Sequence, residues 1–96
     1  MNWLKKRKIR KLEKERERVK QMEKTVDETW TKLLEEWGQA KEPPHLTVED
    51  RSTIDDEYAV KSEAFEKITN ALFCRQMELT GQIIDLRLPK GSEKNE

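Results

Sequence analysis

Apolar residues recur every seven positions along two long stretches, separated by a short break that contains prolines. In the first stretch Leu12, Val19, Val26 and Leu33 are spaced by seven. Ile9, Trp30 and Trp37 lie on a second seven-residue register three positions ahead. Two such registers form an a/d seam, the pattern by which helices pack along their length in coiled coils. Arg16 and Glu23 fill the intervening places of the second register. Polar residues there weaken a seam and specify register or partner. From Asn2 to Trp37 there is no Gly or Pro, and most residues are good helix formers. The spacing therefore predicts a helix over residues 1–38, with Gly38 placed to end it as a glycine that adopts the left-handed conformation cheaply.

Residues 39–51 contain Pro43 and Pro44 and are expected to be a linker in which the chain reverses. A second helix is predicted over residues 52–88, starting near Thr47 or Ser52. Thr47-Val48-Glu49-Asp50 and Ser52-Thr53-Ile54-Asp55 both resemble capping boxes, with Asp where Glu or Gln is usual. Asp55, Asp56 and Glu57 sit where anions favour a helix start. Tyr58, Phe65, Leu72, Leu79 and Leu86 are again seven apart. Ile54 and Ile68 read as their companion register, interrupted by Lys61, Arg75 and Gln82. Pro89 and Gly91 end the pattern, and residues 89–96 read as a disordered polar tail. Gly81 leaves two endings open, a kinked helix or an extended strand over residues 82–88.

Two helices joined by a short turn pack antiparallel. The expected fold is all-α: one domain, a coiled-coil-like antiparallel two-helix hairpin with helices about 50 Å long at 1.5 Å per residue. The two helices do not offer equal apolar surface. On a wheel of ~100° per residue, Ile68, Leu72, Leu79, Ile83 and Leu86 fall on one face of the second helix, and Phe73, Met77 and Ile84 form a neighbouring stripe. Opposite them the first helix has only Ile9, Leu12 and Val19 among many charges. One partner helix covers one stripe. Exposing three large apolar side chains forfeits several kcal/mol at ~25 cal/mol per Å2, and a small domain is only ~5–15 kcal/mol stable. Pairing of the hairpins into a four-helix bundle follows as the expectation, because twofold dimers are the commonest oligomers. The expected interface is Phe73, Met77, Leu79, Ile83, Ile84 and Leu86.

Composition agrees with solvated helices: 33% of residues are hydrophobic and 42% charged. A compact globule has nearer ~45–50% and ~25%. Net charge is zero but unevenly placed: residues 1–24 hold 11 Lys/Arg and 4 Asp/Glu, residues 25–96 hold 9 and 16. The basic half of the first helix, with Lys5, Lys6, Arg7, Lys8, Arg10 and Lys11, has contacts to offer phosphates or an acidic partner. Base-specific readout would need residues that read base edges, and Asn2 and Gln21 are the only amides nearby. A solvated face is the alternative, with Glu13, Glu15 and Glu17 pairing to these cations at i,i+3 and i,i+4. Trp3 and Leu4 precede the cations but make no continuous lipid-facing stripe, so no membrane partner is expected.

The remaining chemistry is sparse. Trp30, Trp37 and Tyr58 near the turn read as core aromatics at heptad positions. Cys74, the single cysteine, reads as a buried structural thiol among Leu72 and Phe73. His45 is the lone histidine, and the acids at positions 49, 50 and 55–57 lack the calcium-loop pattern, so no metal or other cofactor is expected. No nucleophile elbow, phosphate-binding loop or dinucleotide fingerprint occurs, and an enzyme is not expected. The turn reads Glu36-Trp37-Gly38-Gln39, with Trp and Gly adjacent. The small helical hairpins of the WXG type space the two by one residue, and the chain is not assigned to them. The expectation is a cytoplasmic, non-enzymatic protein that acts by protein–protein interaction as an adaptor, assembly factor or inhibitor. Its expected partners are a second copy, in a dimer, and a further protein; nucleic acid is the alternative partner.

Overall fold

A computed structural model describes residues 2–88. These form two α-helices and no strand: α1 spans Trp3–Ala40 and α2 spans Val48–Arg87. Asn2 caps α1, its side-chain oxygen accepting from the Lys5 N–H at 2.8 Å. The first turn of α1 holds no acid; it is instead entered by Lys5 and Lys6, cations at the end where the helix dipole favours anions. Gly38 does not end α1. Its φ is not positive, and the helix continues to Ala40. What stops it is the proline pair, since the residue before a proline is pushed out of the α conformation.

Of the two possible starts for α2, Thr47 is the cap. Its hydroxyl accepts from the Asp50 N–H at 3.0 Å, and the Asp50 carboxylate accepts from the Thr47 N–H at 3.0 Å. Asp works in this box because the reach back is only one turn. Glu49 and Asp50 in the first turn and Arg87 in the last both complement the dipole. The helix runs unbroken through Gly81 to Arg87, so residues 82–87 are helical and not extended. The tail expected over residues 89–96 lies outside the described residues. Between the helices, Arg51 holds the reversal: its Nε donates to the Lys41 carbonyl and its Nη2 to the Pro43 carbonyl, each at 3.3 Å.

The helices run antiparallel. Cross-helix partners rise in number along α1 as they fall along α2: Glu13 with Arg87, Glu23 with Gln76, Trp30 with Ser62, Trp37 with Asp55. The hairpin measures 70 × 26 × 12 Å. Among the described residues the buried side chains are Ile9, Val19, Leu33, Leu79 and Ile83, and none is polar. Both predicted registers of α1 face inward, from Ile9 through Leu12, Val19, Val26 and Trp30 to Leu33 and Trp37.

In α2 the companion register differs from the expectation. Tyr58, Phe65, Leu72, Leu79 and Leu86 do face α1, but beside them sit Asp55, Ser62, Thr69, Gln76 and Ile83, whereas Ile68 is 46% exposed and Lys61 and Gln82 are exposed. The tryptophans explain the choice. A partly buried indole needs both an apolar neighbour and a hydrogen-bond acceptor. Trp30 stacks on Phe65 at 6.5 Å and donates to the Ser62 hydroxyl at 3.2 Å. Trp37 stacks on Tyr58 at 5.9 Å and donates to the Asp55 carboxylate at 2.7 Å. Of the expected companions Ile54 stays half-buried, but none of Ile54, Lys61 and Ile68 offers an acceptor.

Candidate functional site

The expected interface separates into two groups. Leu79 and Ile83 are fully enclosed between the helices, and Leu86 is half-buried in the groove it shares with Leu12. All three sit at heptad positions that meet α1; Leu79 and Ile83 offer nothing outward, while Leu86 keeps part of its surface in the groove. Phe73, Met77 and Ile84 point away, 57%, 59% and 52% exposed. Leu88, at 43%, extends their line and was not among the expected residues. At 100° per residue these four fall within about 60° of one another, and about 130° round α2 from Leu79 and Ile83. The signal for Leu88 was present in its spacing from Met77 and Ile84, but the adjacent proline obscured it.

Gly81 borders this stripe, about 20° beyond Leu88 at 100° per residue, four residues after Met77 and three before Ile84. A mid-helix glycine costs roughly 1 kcal/mol relative to alanine. Nothing among the described residues requires it: its φ is not positive, and no side chain or other segment lies within 4 Å of where a Cβ would stand. Cys74 flanks the same region and is exposed, contrary to the buried thiol expected. Five residues before Leu79, it falls about 140° round the helix from the core.

The basic half of α1 does not form one patch. Lys8 and Lys11 line the groove along one flank of the hairpin, with Leu12, Glu15, Gln82, Asp85 and Leu86. Lys6 and Arg10 line the other flank, with Ile9, Glu13 and Arg87. Arg7 lies 5.5 Å over the ring of the exposed Trp3. The expected pairing within α1 is absent: among the described residues no cation of this segment makes a salt bridge. The acids that would neutralise it are engaged elsewhere. Glu13 pairs with Arg87 at 3.2 Å, Glu15 with Arg75, Glu17 accepts from Gln21, and Glu23 accepts from Gln76 at 2.7 Å.

At the turn, charge and aromatic groups satisfy one another. Hydrogen bonding from the Trp37 indole first, and Lys41 second, holds the Asp55 carboxyl below the usual aspartate range. The Lys41 amine lies 3.0 Å from that carboxylate and 5.7 Å over the Trp37 ring. The backbone and then the hydroxyl of Thr47 lower Asp50 in the same direction. Glu15 and then Glu78 raise the Arg75 guanidinium. Among the described residues no three His, Cys, Asp or Glu side chains gather as a metal site would need, and no described helix is long and apolar enough to cross a membrane. Compared with known proteins, the chain matches no family model, no curated protein and no solved structure.

Proposed function

We propose that this hairpin is a non-enzymatic, oligomeric interaction protein, an adaptor, assembly factor or inhibitor that works by packing the outer face of α2 against another helix. One observation carries the reading: four large apolar side chains, Phe73, Met77, Ile84 and Leu88, stand in a single exposed line along α2, within about 60° of one another. Such a line matches the spacing by which an amphipathic helix is gripped in helix-on-helix recognition. Closure of two hairpins into a four-helix bundle is the simplest assembly that covers it. A cytoplasmic setting fits the lone exposed thiol, which reducing compartments keep free. The double variant Met77→Glu with Ile84→Glu tests the reading. Its helicity by circular dichroism is expected to match the parent, because neither side chain is buried, while solution mass by light scattering falls to that of one chain. Unchanged mass and unchanged helicity together reject it.

A second reading, nucleic-acid binding by the basic half of α1, is favoured by the engagement of Glu13, Glu15 and Glu23 with α2; among the described residues no cation of residues 5–20 makes a salt bridge. It predicts binding to a DNA or RNA oligonucleotide that weakens steeply with salt and is lost when Lys5, Lys6, Arg7 and Lys8 are changed to Gln. Absence of binding at low salt removes it.

A further inference from the structure

Pairing with α2 sorts the charges of α1. In residues 5–20 the acids Glu13 and Glu15 are half-buried, turned to Arg87 and Arg75. Glu17 is the exposed acid of this segment, and it accepts from Gln21. Of the ten cations there, eight are exposed and only Lys5 and Arg16 are half-buried. The seam thus takes acid from the helix and leaves cations on its outside.

These cations wrap the helix and do not make a flat patch. At 100° per residue, Arg10, Lys14, Arg7, Arg18 and Lys11 follow one another over an arc of about 100°. Its centre lies about 170° from the line of Ile9 and Val19, directly away from α2. Lys6 on one flank and Lys8 on the other widen the arc to about 200°. From Arg7 to Arg18 the row runs roughly 17 Å along the axis at 1.5 Å per residue. Among the described residues from Lys5 to Gln21 no apolar side chain is exposed. Trp3 and Leu4 stand before the row and Met22 after it.

That shape narrows the partner. A bilayer or a flat acidic protein surface meets only one side of a charged cylinder, and a lipid-bound helix needs apolar side chains along the buried face. The exposed apolar line of this hairpin, Phe73 to Leu88, lies on the outer edge of α2 and faces away from the cations. A groove with anions on both walls meets the whole arc. The major groove of B-form DNA is one, about 12 Å wide and open to an α-helix. The hairpin is 12 Å in its thinnest dimension, one helix thick. The major groove of duplex RNA is too narrow to enter. Single strands are held by several aromatic side chains on which bases stack, and Trp3 is the only aromatic of residues 1–24.

We propose, resting on the nucleic-acid reading above, that the outer edge of α1 lies in the major groove of duplex DNA and holds phosphates of both strands. Lys6 and Arg10 face one wall, Lys8 and Lys11 the other, with Arg7, Lys14 and Arg18 between them. α2 stands behind α1, outside the groove, and its apolar line stays open to a different molecule.

Fluorescence anisotropy of the full chain with a labelled DNA duplex, the matching RNA duplex and each single strand, across a salt series, tests this. The DNA duplex is expected to bind tightest. Its log affinity is expected to fall against log salt with a slope of about −4 to −5, for five phosphates at ~0.9 each. Arg10→Gln with Lys14→Gln and Arg18→Gln, all exposed positions, is expected to keep the parent's helicity by circular dichroism. It is expected to flatten the slope by about 3 and to weaken binding on the order of a hundredfold at ~0.1 M salt. Lys32→Gln with Lys61→Gln and Lys67→Gln removes the same charge from exposed positions off this edge. It is expected to change the affinity by no more than about twofold, because charges beyond a Debye length are screened. Methylation of guanine N7, which lies in the major groove, is expected to be blocked on the saturated duplex.

No binding to any nucleic acid at low salt overturns this proposal together with the reading beneath it. Equal weakening by the two triple variants overturns the edge, and tighter binding to RNA or to single strands, or unprotected guanines, overturns the groove. Each of those leaves nucleic-acid binding itself standing. Binding to vesicles of phosphatidylcholine and phosphatidylserine, with none to DNA or RNA, overturns both in favour of a lipid surface.

Discussion

From Trp30 to Tyr58 the two helices are joined through aromatic rings; from Ile9 to Val19 they meet Leu79, Ile83 and Leu86 through aliphatic side chains. In the turn half the supply of large residues is balanced. Trp30 has Phe65 and Ser62, Trp37 has Tyr58 and Asp55, and Arg51 ties the reversal. In the open half it is not. α1 contributes three aliphatic residues to a side of α2 that encloses Leu79 and Ile83 and still has Phe73, Met77, Ile84 and Leu88 left over. The balanced half exposes Leu34, Val48, Val60 and Ile68 without aligning them on α2, and the unbalanced half exposes four apolar residues in one line. The difference teaches that a hairpin's binding face is set by unequal matching of its own two helices.

The contrast can be broken most strongly at Leu79, the most enclosed side chain. Leu79→Ala is expected to cost about 2–5 kcal/mol, read as a fall in thermal and urea midpoints. Amide exchange is expected to accelerate in residues 3–24 and 70–88 well before residues 30–65. Uniform loss of protection would mean that the halves are one cooperative unit. Next in size, Trp37→Phe keeps the stack on Tyr58 but removes the donor to Asp55, and is expected to cost about 1–2 kcal/mol, with the exchange pattern reversed. Thr47→Ala removes one side of the capping box and is expected to cost about 1 kcal/mol, confined to the start of α2.

Acid sharpens the comparison in a different way. Asp55 and Asp50 both have folded-state values below their ordinary ones. Their stabilisation is fully present above the ordinary aspartate value of about 3.9 and is lost as pH falls below it, through the depressed values. Both lie in the turn half, which is therefore expected to loosen on acidification at Trp37. Asp55→Asn, which keeps an acceptor for the indole, is expected to flatten that response in tryptophan fluorescence. The smallest effect is reserved for Arg75→Ala. Its pairs with Glu15 and Glu78 are about half exposed, and such ion pairs contribute about 0–1 kcal/mol.

Much of this was legible in the order of residues. The heptads of α1, the proline break, the capping box at Thr47 and the stripe of Phe73, Met77 and Ile84 all depend on spacing along one helix, and spacing is a local property. What escaped depends on two helices at once. Ile54 and Ile68 are the more apolar companions for Tyr58 and Leu72, and hydropathy alone prefers them. Ile54 is half-buried, but Ile68 is turned out, and Asp55 and Ser62 face α1 because the indoles opposite need acceptors. Gly38 reads as a stop signal, yet the helix passes through it because glycine permits a left-handed turn without imposing one.

The sequence by itself therefore determined that the chain makes two long helices, where it reverses, and that the second helix is richer in apolar surface than the first. Helix propensity, proline and seven-residue spacing act within a segment and need no partner to be read. Only the tertiary structure decided which of that surface is spent inside the hairpin. Leu79, Ile83 and Leu86 are no more apolar than Ile84 and Leu88, but the rotation of α2 is fixed by the tryptophans of α1. That rotation buries the first three to different depths and turns the others out.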